Sequence, residues 1–151
     1  MDDEARISVR MRVPFYDVDM LQMVWHGNYM KYFDLARQAF FFRCGLDITL
    51  SEEMRYIFPV IRTSIKYLYP LKLNDEFICT AILREARIKL VMEFEIRLAR
   101  DGRLSATGRS EHAAVRVPEM EMVFRIPEEV EKALWSIRDK ERAVISVVEG
   151  L

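Results

Sequence analysis

This chain predicts an α+β domain in which an antiparallel β-sheet wraps around one long central α-helix. Three patterns carry that expectation. Apolar and aromatic residues recur every three to four positions between Gly27 and Gly45, too densely for a helix lying on a surface. A run of alternating apolar and polar residues follows, broken by turn signals. At 151 residues the chain is sized for a single domain, 1–151, without repeat, linker or low-complexity tract.

Ile7, Val9, Met11 and Val13 alternate with Ser8, Arg10 and Arg12, the period of a half-buried strand that Pro14 ends. An irregular segment runs from Phe15 to about His26. In the helix, Tyr29, Phe33, Ala36 and Phe40 form one face, and Lys31, Asp34, Arg37 and Gln38 a narrow polar strip. Met30, Tyr32, Phe41 and Phe42 widen the apolar surface, so the helix is expected to be mostly enclosed. Asn28 suits an N-cap and Gly45 a left-handed C-terminal residue. Thr49 to Glu52 offers a capping box for a short helix.

Val60 to Tyr69 reads as a strand stopped by Pro70, and Asn74-Asp75 as a turn. Glu76 to Arg84 is the next strand, followed by Lys89 to Leu98, where Leu90, Met92, Phe94, Ile96 and Leu98 face the core and Val91 shares the solvent face with Glu93 and Glu95. Asp101-Gly102 makes a hairpin turn. If Leu98 opposes Leu104, Phe94 opposes Gly108 and Leu90 opposes His112. Ala106, Gly108, Ser110, His112 and Ala114 then form a small-residue surface on which the aromatic helix can lie, with His112 a satisfied core histidine. Met120 to Ile126 is extended, and Pro127 is placed at the first position of a C-terminal helix marked by Val130, Ala133, Leu134 and Ile137. Val144 to Val148 is β-branched but has no partner that periodicity identifies.

Charge is nearly balanced, 23 basic against 24 acidic residues, so no broad basic field argues for nucleic acid or an anionic membrane. The N-terminus lacks an apolar leader and no run is long enough for a membrane span, which predicts a cytoplasmic protein. Cys44 and Cys79 read as small buried thiols, and two His and two Cys that never cluster predict no metal site. Phosphate-binding Gly-Lys loops, dinucleotide fingerprints, the Gly-x-Ser-x-Gly elbow and His-Glu-x-x-His are all absent. Acid–base or nucleophilic carboxylate chemistry remains.

Asp17 and Asp19 precede a helix whose first amides are unpaired and whose dipole is positive at that end. An acyl carbonyl placed there would be polarised as in an oxyanion hole, beside a carboxylate able to attack it or activate water. The two side chains are expected to point to opposite sides, so that one of them serves the site. Turn and capping bonds would use the same residues, and spacing alone does not choose. His26, at the first turn, suits phosphate or substrate contact as well as simple solvation of the helix start. Lys66, Arg84, Arg87 and Lys89 suit ligand phosphates as well as a solvated strand face.

Phe15-Tyr16-Asp17-Val18-Asp19-Met20, Val24-Trp25-His26-Gly27-Asn28-Tyr29 and Tyr32-Phe33 with Ala36-Arg37 resemble the signature of hotdog-fold acyl-coenzyme A thioesterases. The similar branch contains 4-hydroxybenzoyl-coenzyme A thioesterase and the Tol-Pal-associated enzymes. Phe42 to Leu46, Tyr67 to Asp75 and Ile126 to Val130 fit as well. The resemblance implies a hydrolase of lipid or acyl metabolism, with acyl-coenzyme A as substrate and no cofactor. It implies Asp19 as the catalytic carboxylate and His26 as the residue whose amide polarises the carbonyl. Gln22, Val24, Trp25, Gly27, Asn28 and Tyr29 are the expected substrate contacts. A homodimer or homotetramer with sites between subunits is implied too. Leu21-Gln22 stands where many relatives carry a glycine second, and Asn74 where a glycine is usual. A non-catalytic acyl-coenzyme A binding module on the same fold is the alternative.

Overall fold

The computed structural model describes residues 4–46, 56–140 and 144–146. Strand β1 (Arg6–Arg12) buries Ile7, Val9 and Met11, with Val13 following, as its alternation dictates. Helix α1 (Tyr29–Arg43) comes next, 15 residues or about 22 Å long. Strands β2 (Tyr56–Ile57), β3 (Val60–Tyr67), β4 (Glu76–Ala86), β5 (Leu90–Leu98) and β6 (Leu104–His112) follow. After them come β7 (Ala114–Arg116), β8 (Glu121–Val123), α2 (Glu128–Trp135) and β9 (Val144–Ser146). The proposed capping box at Thr49 to Glu52 lies outside the described residues.

The main sheet has the order β3-β6-β5-β4-β1-β9, antiparallel except for the parallel β1–β9 pair, and β2-β7-β8 form a small second sheet. β9 partners β1 through Val9 and Ile145, a non-local pairing that the β-branched tail could not announce. One face of the main sheet covers α1. Tyr32 packs on Phe77 of β4, with ring centroids 4.8 Å apart, and Phe33 stacks on Phe94 of β5 at 4.8 Å and 18°.

Phe94 pairs with Gly108 and Leu90 with His112, as the register argument predicts. Near the hairpin it is corrected, because a bulge between Ile96 and Arg97 sets Leu104 opposite Arg97 rather than Leu98. Gly108 is the floor of the helix: a Cβ there would stand 2.8 Å from Phe33 Cζ, and nearer to its neighbouring carbon. Gly45, at φ +78°, closes α1 in a Schellman motif, with Leu46 N donating to Phe41 O at 2.9 Å and Gly45 N to Phe42 O at 3.0 Å.

Four further expectations need correction. Phe42 is 70% exposed, so the helix is less enclosed than its composition implies. Val91 is buried on the β5 face assigned to solvent. Pro127 is the N-cap of α2, extended at ψ 139°, rather than its first helical residue. Asn28 makes no side-chain cap, because a 3₁₀ turn at His26–Asn28 already carries the chain into α1.

His112 is fully buried, as expected of a core histidine. Its Nδ1 lies 3.0 Å from Phe58 O and its Nε2 2.8 Å from Ser110 Oγ, with the Arg37 guanidinium alongside. Burial and the Arg37 charge lower its pKa from 6.5 to about 4. The unfolded chain therefore binds the extra proton between those values, and stability falls as pH drops from about 6.5 towards 4. At pH 5 the loss from this group is about 2 kcal/mol relative to pH 7. Urea unfolding of the wild type and of His112→Asn at both pH values checks it: the wild type should lose about that much more than the variant, and equal losses would remove His112 from the acid sensitivity.

Candidate active site

The segment between β1 and α1 folds as a 3₁₀ turn, Phe15–Asp17, followed by a small hairpin. Val18 bridges Val24, Asp19 N donates to Met23 O at 2.8 Å, and Trp25 N donates to Asp17 O at 3.0 Å. Val24 N donates to Leu71 O and Met23 bridges Lys72, which seat the hairpin on the loop before β4.

The two carboxylates do diverge. Strand geometry is not the reason, since residues two apart in an extended chain share a face. The change from 3₁₀ turn to hairpin separates them. Asp17 is 3% exposed and points inward, where Lys31 Nζ meets Oδ1 and Tyr32 Oη donates to Oδ2 at 2.6 Å. Asp19 is exposed, and its Oδ1 accepts the Leu21 amide at 2.8 Å and the Met23 amide at 3.4 Å. Oδ2 of Asp19 has no hydrogen-bond partner among the described residues.

Gln22 turns this hairpin at φ 60°, and Asn74 turns the loop beneath it at φ 68°. Both stand where a glycine would cost nothing sterically. Gln22→Gly should raise stability by about 0.5–1 kcal/mol, the left-handed penalty relieved less the extra unfolded-state entropy of glycine. A higher thermal midpoint checks this, and a lower one would mean that the Gln22 side chain holds the hairpin.

At the helix start, Asn28 N donates to Trp25 O, Tyr29 N to His26 O, and Asn28 Nδ2 to Asp17 O at 2.8 Å. Among the described residues no hydrogen bond is donated by the amides of His26 or Gly27. Such unpaired first-turn amides, at the positive end of α1, are donors for a developing oxyanion. The His26 imidazole is exposed, lying 5.0 Å from the Trp25 ring and 6.4 Å from that of Tyr67. Tyr67 Oη donates to His26 O at 2.9 Å, a link from strand β3 to the helix start that periodicity does not reveal.

Of the expected substrate contacts, Gln22 and Trp25 are exposed, and the Trp25 ring covers Gly27. Val24 and Tyr29 are buried, and Tyr29 Oη accepts the Leu71 amide at 3.1 Å. Asn28 is half-buried and engaged with Asp17 O. Among the described residues no hydrogen bond joins the Asp19 carboxylate to the His26 amide. Among the basic residues considered for phosphates, Arg84 is held by Glu93 and Glu4, and Lys89 by Glu111. Lys66 and Arg87 are exposed. Burial pushes the Cys44 thiol up to about 12 and raises Cys79 further, so neither is a nucleophile at neutral pH. Among the described residues there is no group of His, Cys, Asp and Glu that could hold a metal ion, and no helix long and apolar enough to cross a membrane.

The chain is 27% identical over 132 residues to the acyl-CoA thioesterase YbgC of Haemophilus influenzae, covering 87% of this chain and 96% of that one. It is 26% identical over 125 residues to a putative esterase of Aquifex aeolicus, covering 83% and 94%. Among solved structures it resembles a 1,4-dihydroxy-2-naphthoyl-CoA thioesterase from Synechocystis with a TM-score of 0.75, at 17% identity over 85% of this chain and 95% of that one. This likeness bears on the fold, which is the long helix held in an antiparallel sheet of the hotdog type. Residues 13–134, from the end of β1 to the last turn of α2, match the Thioesterase-like superfamily, and the chain belongs to it.

Proposed function

We propose that this thioester hydrolase acts on an acyl-coenzyme A, releasing the free acid and coenzyme A. The observation that carries the reading is an exposed carboxylate, Asp19, on a hydrogen-bonded hairpin beside a helix start whose His26 and Gly27 amides are unused among the described residues. In the base form of the reaction, Asp19 Oδ2 takes a proton from water as the hydroxide adds to the thioester carbonyl. The resulting oxyanion is met by the helix-start amides, the carbon–sulfur bond breaks, and the proton leaves with the thiolate. In the nucleophilic form Asp19 adds directly and the carbon–sulfur bond breaks to expel the coenzyme A thiolate. Water then hydrolyses the mixed anhydride, freeing the acid and Asp19 and supplying the proton that the thiolate takes up.

A second copy completes the site in this reading. Strand β3 is an edge of the main sheet, with Val60, Ile61 and Tyr67 exposed, and Tyr67 ties that edge to His26. An exposed apolar edge favours pairing with another chain. A copy docked there would lie against Tyr67 and so wall the helix start from the solvent side.

Free-thiol release across short, medium, long-chain and aromatic acyl-coenzyme A substrates tests the reading and identifies the acyl class. Turnover of at least one is expected. Stoichiometric binding of acyl-coenzyme A without thiol release on any substrate would replace it with a binding module.

A further inference from the structure

Asp17 accepts four hydrogen bonds from residues at the entry and first turn of the helix. Its carboxylate accepts Lys31 Nζ on one oxygen and Tyr32 Oη on the other, and its carbonyl accepts Trp25 N at 3.0 Å and Asn28 Nδ2 at 2.8 Å. These four donors lie between Trp25 and Tyr32, where the chain enters the helix, whereas the carboxylate of Asp19, two residues on, touches only its own hairpin. The Lys31 ammonium also lies 5.5 Å from the Tyr16 ring centroid and 5.6 Å from that of Tyr32, which fixes its direction. Burial and the Asp17 carboxylate raise the Tyr32 pKa, so its hydroxyl stays a donor throughout the neutral range.

We infer that Asp17, Lys31 and Tyr32 form a clamp of positioning residues that sets the Asp19 hairpin against the helix-start amides. The inference rests on the catalytic reading of Asp19. The clamp touches no reacting atom; it holds two halves of a site whose alignment decides the rate, since small misplacements of reacting groups are costly. A charged, two-pronged anchor suits that task better than apolar packing, because it fixes direction as well as distance.

Asp17 is buried, and replacing it risks the fold, so the test uses its partners. Lys31→Met should lower kcat about tenfold with KM changed less than twofold, and Tyr32→Phe should behave alike. Lys31→Arg, which keeps the charge, should restore kcat to within about twofold of the wild type. A lowered thermal midpoint with unchanged kcat, a change in KM alone, or failure of Lys31→Arg to rescue would overturn the inference and leave an ordinary structural ion pair. Amide hydrogen exchange separates this from failure of the hydrolase reading. Even if the wild type turns over no thioester, the amides of Asp19, Met23 and Trp25 should exchange faster in Lys31→Met and Tyr32→Phe, and unchanged exchange would overturn the clamp.

Discussion

Asp19→Asn should lower kcat for thioester hydrolysis by about 10³-fold while KM and thermal stability stay close to those of the wild type. The asymmetry follows from how the side chain is held. Oδ1 accepts the Leu21 and Met23 amides, and an asparagine carbonyl oxygen can keep both bonds, so the hairpin survives. What asparagine lacks is the charge on the second oxygen, needed to take a proton from water or to attack carbon. Asp19→Ala should behave differently, losing the turn bonds as well and costing about 1 kcal/mol of stability beside the same loss of rate. Steady-state thiol release with thermal melts on both variants is the measurement. Full thiol release by Asp19→Asn would remove Asp19 from the mechanism, and equal damage to melting by both variants would make it a turn residue alone.

The residues that were legible in the sequence are those whose surroundings are local or follow from a period. The alternation of β5 and the Asp101-Gly102 turn together determine that Gly108 meets Phe94, and the same register puts His112 in the core. Gln22 and Asn74 stand in positions that ask for glycine, and both have positive φ. What could not be read depends on partners distant in sequence or on a choice among donors. Asn28 looks like an N-cap, yet its amide reaches the carbonyl of Asp17, 11 residues back. The Lys31 and Tyr32 partners of Asp17 sit on neighbouring helix positions that periodicity assigns to polar and apolar faces. They converge only because the 3₁₀ turn carries Asp17 inward. β9 could not be placed because a three-residue parallel strand owes its position to β1, far away in the chain.

Gly108→Ala should destabilise the fold by about 1–2 kcal/mol, the overpacking cost exceeding what alanine gains over glycine in a strand. The new methyl group would press on the Phe33 ring, and moving that ring aside would break its stack on Phe94 at 4.8 Å. Gly108→Val, with two further carbons on the same side, should cost about 3 kcal/mol or more, a large share of the roughly 5–15 kcal/mol that stabilises a domain. The pair can be tested as a cycle. Phe33→Leu alone forfeits the stack on Phe94 and leaves a void, yet it opens the space that the alanine methyl needs. Phe33→Leu with Gly108→Ala should therefore cost less than the sum of the two single changes, by about 1 kcal/mol. Urea unfolding of the four proteins measures the coupling. Strict additivity would mean that the helix does not rest on this glycine, and that the floor of the site is set elsewhere in the sheet. A coupling of the expected sign would mean that α1 is seated by steric fit at Phe33, about two turns beyond the helix-start amides on which the chemistry depends.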